Sequence, residues 1–449
     1  MTKVKFLVIG AGPTGIGCAL RFLEKDIQDF LLLEKNDYAG GLATTFTDEK
    51  GFMWDIGGHV QFSHYKYFDD AMELALGKDG WFHHQRESWV WINDRFVPYP
   101  FQNNIHRLDE EIASKCLMDM KNRDTSIDPA NFKDWLKKQF GSKLCEIFMY
   151  PYNYKVWAFD SSKMSHQWVS ERVSPIDVEK IEKNLDEKID QVSWGPNATF
   201  QFPKRGGTGA IWKSLASKIP KDKIRYNSSV MKIDLKQKFV ETNGEKIYFE
   251  KVLSTMPLDQ LCYITNEIPD DLTKMARDFK FSNTHIIGVG VKGKLSDNLK
   301  TKCWMYFPED DCPFYRTTVF SNYSKYNVPS EEYFSLMTET SSSEEKKVNK
   351  ETLADDVING LIKTKLISSG DQIESVFSYS TKYGYPTPFL KRDSYLEKLI
   401  PYFESKDVFS RGRFGGWKYE VSNQDHTFMQ GVEWVDLMID NKAEETYIL

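Results

Sequence analysis

The sequence is poor in the features that would hold a protein together by anything other than packing. Its six cysteines, Cys18, Cys116, Cys145, Cys262, Cys303 and Cys312, stand apart, with no CxxC pair and no zinc-ribbon spacing. They read as isolated reduced thiols in a core, which excludes a disulfide scaffold and fits a cytoplasmic protein. No apolar run approaches the roughly 18 residues of a membrane-spanning helix. Positive charge is also short: 59 Lys and Arg against 65 Asp and Glu leave a net charge of −6. That excludes a basic face for nucleic acid or anionic membrane, so an anionic ligand would need local arginines. The eight histidines include no HExxH or comparable spacing, so no metal is expected. The first residues, Met1-Thr2-Lys3-Val4-Lys5, lack the layout of a signal peptide. There is no repeat, no long low-complexity tract and no linker rich in Pro or Gly, so the domains are expected to pack tightly.

What is present is a nucleotide-binding opening. Residues 4–9 read as a buried parallel strand, followed by Gly10-Ala11-Gly12-Pro13-Thr14-Gly15 and a helix through Ala19, Leu20 and Leu23. A second strand over 30–33 ends at Glu34. In this βαβ setting the glycines let a pyrophosphate approach the backbone, the helix N-terminus stabilises its charge, and Glu34 accepts from ribose hydroxyls. Gly40-Gly41-Leu42-Ala43 comes directly after the acidic residue, as in FAD proteins of the glutathione-reductase and amine-oxidase type, and this resemblance favours FAD over NAD. Far away, Arg411-Gly412-Arg413-Phe414-Gly415 and Asn423-Gln424-Asp425-His426 look like the C-terminal motif of such FAD proteins, where a second helix N-terminus faces the flavin. One cofactor domain therefore brackets the chain. His59, between Gly57-Gly58 and Val60, is expected beside the flavin. Two similar patterns are rejected. Gly288-Val289-Gly290-Val291-Lys292-Gly293 ends an alternating strand with no helix after it. Gly206-Gly207-Thr208-Gly209 lacks the Gly that a P-loop needs before Lys213, since Trp212 stands there.

At 449 residues, two or three domains are expected. From about 107 to 190 the pattern is helical: Phe132, Trp135, Leu136 and Phe140 keep a 3.6-residue period, Ser142 can cap the next helix, and Pro151 ends it. From about 270 to 387 short strands dominate, at 286–291, 303–307, 317–321 and 333–338, with one helix carrying Leu353, Val357, Ile358, Leu361 and Ile362. The expected fold class is α/β: a Rossmann-like FAD-binding domain of the glutathione-reductase or amine-oxidase type, an inserted helical domain and an antiparallel β-sheet domain.

Longer blocks carry a resemblance. They include Gly57-Gly58-His59-Val60, Val97-Pro98-Tyr99-Pro100-Phe101-Gln102-Asn103-Asn104, Pro151-Tyr152-Asn153-Tyr154-Lys155-Val156-Trp157, Trp194-Gly195-Pro196-Asn197, Cys312-Pro313-Phe314-Tyr315-Arg316 and Gly384-Tyr385-Pro386-Thr387-Pro388. In these the chain resembles the UDP-galactopyranose mutases of the eukaryotic type. The resemblance implies an FAD domain over 1–83, 204–265 and 405–449, a helical domain over 105–190, and a sheet domain over 84–104, 191–203 and 266–404. It implies interconversion of UDP-galactopyranose and UDP-galactofuranose without net redox change, N5 of reduced FAD attacking the anomeric carbon with UDP as leaving group.

Residue roles follow from the same resemblance. His59 and Arg413 would flank the flavin, with Phe62 close by. Gly10, Gly12, Pro13, Thr14, Gly15, Glu34, Gly41, Leu42, Gly58, Val230, Asn423, Gln424 and Asp425 would bind FAD. Arg172 and Arg316 would hold the diphosphate, whose charge guanidinium groups suit, and Tyr306, Tyr385 and Tyr419 would donate to it. Tyr99, Phe101, Gln102, Tyr152 and Asn153 would form the uracil site, with Trp157 near the ribose and Asn197 near the sugar. Arg86 and Ser88 belong to the segment associated with flavin reduction by NADPH or NADH. The chain departs from relatives at Gly416 and Lys418, where Ser and Arg are frequent. It also ends soon after the flavin helix, which makes a monomer or homodimer the expectation. Two other readings share the scaffold: an FAD-dependent amine oxidase or desaturase, and a flavin-free binding protein like the Rab GDP-dissociation inhibitors. The first needs an amine-binding or apolar tunnel rather than paired arginines; the second does not need Glu34.

Overall fold

The computed structural model describes residues 2–169, 173–174, 176–192, 195 and 198–449. The opening strand, Thr2–Ile9, has its apolar end wholly buried, as an uninterrupted hydrophobic run between two covered faces requires. It pairs in parallel with Phe30–Leu33 on one side and Glu245–Ser254 on the other. Ile224–Arg225 extends the sheet past Phe30–Leu33, and Val408–Ser410 lies along the end of Glu245–Ser254. A hairpin of Val230–Asp234 and Phe239–Thr242 completes seven strands. Strands from both ends of the chain thus build one sheet, as the separated motifs implied.

The helix Pro13–Glu24 packs against the C-terminal helix Gln424–Asp440. Their backbones touch. A Cβ on Gly17 would lie 2.6 Å from the carbonyl oxygen of Phe428, and one on Gly431 would lie 1.9 Å from that of Thr14. Arg21 forks onto Asp436 at 2.7 and 3.1 Å, and Lys25 pairs with Asp440. The ion pairs lie beyond this crossing on both helices, Arg21 with Asp436 and then Lys25 with Asp440, so the two run parallel and their positive N-terminal ends face the same way.

The antiparallel pair Trp81–Gln85 and Thr199–Pro203 stands where the helical segment leaves and rejoins the rest. Within that segment Asn131 caps Phe132–Phe140 by accepting from the Asp134 N–H, and Asp177 caps Val178–Glu187 through Lys180. The expectations for Ser142 and Pro151 are overturned. The helix starts at Ser142 without a side-chain cap from it, and Pro151 does not end it. Residues Cys145–Met149 make a π turn, so the regular ladder is already interrupted where Pro151 has no N–H to give, and the helix runs on through Tyr150–Trp157 to a left-handed Ala158.

The second large sheet has the order Gln372–Pro386, Phe281–Lys292, Tyr333–Ser342, Arg316–Val319, Trp304–Tyr306, Ser88–Ile92 and Arg95–Pro98. It is mixed rather than purely antiparallel, because Trp304–Tyr306 runs parallel to Ser88–Ile92. No hairpin joins those two, so nothing local imposes antiparallel pairing. The strand expected to reach 321 stops at Val319, where the chain turns into the short helix Phe320–Tyr323. The helix expected near Leu353 spans Leu353–Lys363. Gly288 and Gly290 lie inside a strand, where a Cβ would come within 2.4 Å of the Trp54 ring and 2.6 Å of the Phe52 ring. These glycines make room for indole and phenyl groups. All six cysteines are buried free thiols.

The rejected P-loop-like turn has a structural task. The Thr208 N–H points at the buried carboxylate of Asp55, which also takes the Thr45 hydroxyl at 2.5 Å. Burial raises the Asp55 pKa to about 7, the Thr45 and Thr208 bonds opposing that rise. A carboxyl raised in the folded state favours folding most when both states are protonated. Its contribution falls as pH climbs from the ordinary carboxylate range to about 7. Asp55→Asn should flatten that fall, and equal pH slopes of urea midpoints for variant and wild type would count against it. Gly431→Ala should cost about 1–3 kcal/mol or more through overpacking against backbone, seen as a lowered urea midpoint. An unchanged midpoint would contradict the tight crossing.

Candidate active site

The dinucleotide end is built by three glycines with three tasks. Gly10 has φ +101, which turns the strand toward the helix. A Cβ on Gly15 would lie 1.8 Å from the Gly10 carbonyl oxygen, so helix and turn are in contact. A Cβ on Gly12 would meet nothing within 4 Å, leaving open space in front of a helix that starts at Pro13 with no side chain capping it. Thr14 is buried in the first turn. A Cβ on Gly41 would lie 3.5 Å from the Gly12 Cα, and Leu42 follows it on the turn Gly41–Ala43. Glu34 is buried and fixed by the N–H groups of Ala11 at 2.7 Å and Asn36 at 2.9 Å, which leaves lone pairs for hydroxyl donors. Val230 opens its strand close by, where the Ser228 N–H bonds the Glu34 carbonyl.

The second helix N-terminus carries Asn423, Gln424 and Asp425. Gln424 Oε1 accepts from the Trp212 indole at 2.8 Å. Asp425 is buried, and its oxygens take His64 Nδ1 at 2.7 Å and His426 Nδ1 at 3.0 Å. Phe62 stands edge-on to His64.

Between these ends and the second sheet lies a charged knot. Glu339 is buried and accepts from Arg316 Nε at 2.6 Å and Nη2 at 2.7 Å, from the Tyr315 hydroxyl at 2.8 Å, and from the Gly58 N–H at 3.0 Å. Burial alone would raise its pKa; the Arg316 guanidinium and these bonds outweigh that and hold it below the ordinary value. Next to Gly58, His59 has a buried Nδ1 with no hydrogen-bond partner. Burial first, then the charges of Arg413 and Arg316, lower its pKa to about 4, against the pull of Glu339. It is a neutral ring at neutral pH. Arg413 donates to the Gly384 carbonyl at 2.9 and 3.1 Å and to Ser422, and lies 5.0 and 5.7 Å from the Tyr385 and Tyr419 rings.

The expected substrate residues form one aromatic wall. Tyr306 lies 5.2 Å from Tyr99 and 5.3 Å from Tyr152, ring to ring. Trp157, Tyr385 and Tyr419 meet at 5.0–5.8 Å. The Tyr306 hydroxyl accepts from the Trp304 indole, which leaves its own proton to donate elsewhere. Tyr385 reaches within 3.4 Å of the Tyr315 hydroxyl. Arg86 is buried over the Tyr99 and Trp304 rings, and Ser88 lies buried on the adjoining strand. Three of the residues expected at the uracil site also hold other groups of the protein. Phe101 is fully buried behind the wall, its ring 4.7 Å from Phe148, which in turn stacks on Tyr152. Asn153 bonds within its own helix to the Met149 carbonyl, and Gln102 donates to Ser174. Arg172 and Asn197 lie outside the described residues.

The chain matches the model of the family described as flavin containing amine oxidoreductase over residues 13–363. A solved structure of a reduced UDP-galactopyranose mutase is 47% identical, covers 100% of this chain and 96% of its own, and superposes with a TM-score of 0.96. The chain belongs to the flavin-containing amine oxidoreductases and, among them, to the UDP-galactopyranose mutases. It is therefore an isomerase built on a flavoprotein scaffold. A putative protoporphyrinogen oxidase from Exiguobacterium sp. 255-15 (14% identity, 97% of this chain and 99% of that one, TM-score 0.73) shares the fold. A fatty acid isomerase from P. acnes does so too, at 12% identity over 97% of this chain and 99% of its own, with a TM-score of 0.66.

The residues of this family member fit FAD on their own chemistry. An uncapped helix N-terminus opens onto free space at Gly12, and the buried His59 Nδ1 has no hydrogen-bond partner within the protein. Sequence reasoning missed Glu339. Its signal was available: it is the one charged residue in Tyr333–Ser342, a strand buried along nearly its whole length, and a carboxylate there needs a cation. Glu339→Leu should cost at most the roughly 3–5 kcal/mol of a fully buried pair, by leaving the partly buried Arg316 guanidinium unpaired. The double variant Arg316→Met/Glu339→Leu should recover most of that loss. A double variant as unstable as the sum of the singles would contradict a paired charge.

Proposed function

We propose that this enzyme interconverts UDP-galactopyranose and UDP-galactofuranose with no net redox change, as a mutase of the eukaryotic type. The observation that carries the proposal is the near-complete match to a reduced UDP-galactopyranose mutase, together with an arginine and a tyrosine wall facing the flavin-side residues His59 and Arg413. When bound and reduced, FAD supplies a nucleophilic ring nitrogen.

The protein's part is to bind, orient and exclude water. Arg316, with Arg172 beyond the described residues, holds the diphosphate. Its partner Glu339 engages Nε and Nη2, fixing the guanidinium plane without consuming all five donors. Tyr306, Tyr385 and Tyr419 donate to the same phosphates as uncharged groups. Tyr99 and Tyr152 stack the uracil, Gln102 and Asn153 read its edge, and Phe101 backs them. Trp157 packs against the ribose, and Asn197 takes the sugar. His59, kept neutral by its pKa of about 4, presents an uncharged ring to the flavin and demands no counter-ion. NADPH or NADH serves as reductant through Arg86 and Ser88. The cofactor half spans 1–83, 204–265 and 405–449, the helical insertion 105–190, and the sheet part 84–104, 191–203 and 266–404. The enzyme works in the cytoplasm as a monomer or homodimer.

The test is an assay of purified protein with UDP-galactofuranose, followed by chromatography. Dithionite-reduced enzyme should form UDP-galactopyranose, and air-oxidised enzyme should not. Arg316→Ala should lose about 2–5 kcal/mol of transition-state binding. Full turnover with oxidised FAD, or an Arg316→Ala variant with wild-type kcat/KM and UDP affinity, would overturn the reading.

A further inference from the structure

The segment after the C-terminal helix folds back over the loop that carries Arg413 and leads to Tyr419. Glu444 accepts from Nε and Nη2 of the buried Arg411 at 2.7 and 2.5 Å. The Arg411 guanidinium in turn lies 4.8 Å from the ring centre of Tyr447. Tyr447 is itself buried and donates its hydroxyl to the Gly416 carbonyl at 2.9 Å. Lys418 donates to the carbonyl of Ile448. On the other side, the N–H groups of Glu445 and Thr446 bond Glu433 at 2.9 and 2.8 Å, and the Thr446 hydroxyl lies 3.2 Å from that of Tyr65. Tyr65 adjoins His64, the partner of Asp425 at the flavin-side helix end. Residues 444–448 therefore grip both the 411–418 loop and the segment that follows His59.

The grip is selective for size. A Cβ on Gly416 would lie 2.5 Å from Cε2 and 3.1 Å from Cδ2 of Tyr447. A serine at this position could not coexist with the ring as placed. The absence of a side chain at Gly416 and the ring of Tyr447 are complementary, and between them they fix the loop from which Arg413 reaches Gly384 and Ser422.

We propose that residues 444–448 form a strap in which Tyr447 is a positioning residue, holding Tyr419, with Arg413 beside its ring, in the arrangement that binds the UDP group. The proposal rests on the mutase reading. Its test is a double-variant cycle on the FAD-loaded, reduced enzyme, reading the Kd for UDP, KM, kcat and the thermal midpoint. Gly416→Ser and Tyr447→Ala should each weaken UDP binding about 5–10-fold, roughly the worth of one well-made hydrogen bond with its packing. KM should rise by more than kcat falls. Tyr447→Phe, which keeps the ring, should lose less. Gly416→Ser/Tyr447→Ala should bind UDP no more weakly than the worse single variant, because the serine then occupies the space the ring has left. Unchanged UDP affinity with a lowered thermal midpoint would make the strap a stability feature only, and additive losses in the double variant would remove the proposed complementarity. Either result overturns the proposal. Wild-type enzyme that fails to bind UDP would instead overturn the mutase reading beneath it.

Discussion

The site depends on the contact between two helix backbones at Gly17 and Gly431. Without side chains at that crossing, Pro13–Glu24 and Gln424–Asp440 run parallel in van der Waals contact, although more than four hundred residues of chain separate their starts. Two positive helix ends then face one region, which no single βαβ unit provides. The intervening chain has to leave and return without disturbing this contact. It does so through paired strands: Trp81–Gln85 with Thr199–Pro203 at the neck of the helical segment, and Val408–Ser410 returning to the first sheet.

A second constraint joins the scaffold to the substrate side. Glu339 is a buried charge that one strand of the mixed sheet delivers to the loop around Gly58, and a buried charge persists only when it is fully paired. Arg316, Tyr315 and the Gly58 N–H pair it. The same carboxylate therefore sets the orientation of the Arg316 guanidinium and the position of the loop that carries His59. Chemistry and scaffold share one hydrogen-bonded centre, and the neutrality of His59 follows from burial beside two guanidinium groups rather than from any catalytic partner of its own.

Much of this was legible in the sequence. The separate glycine motifs implied a cofactor half assembled from both ends of the chain, and the sheet joining Thr2–Ile9 to Val408–Ser410 has that form. Local patterns located Leu353–Lys363 and dismissed the glycines at 288 and 290 as a phosphate loop. The failures lie where non-local contacts override local rules. Pro151 reads as a helix stop, yet a π turn before it lets the helix continue. Short alternating strands read as antiparallel, yet Trp304–Tyr306 meets a strand from far up the chain in parallel. Glu339 escaped attention because its significance is entirely in its partners, none of which adjoins it in sequence except across the sheet.

The central claim is that the flavin acts in its reduced form without being consumed as a reductant. The most direct test is an anaerobic reaction with enzyme reduced once and excess reductant removed, in which flavin absorbance and the sugar nucleotides are followed together. The account predicts many molecules of UDP-galactofuranose converted per flavin while the spectrum of the reduced cofactor persists. Reoxidation of the flavin in step with loss of substrate, or product limited to one equivalent per flavin, would contradict it.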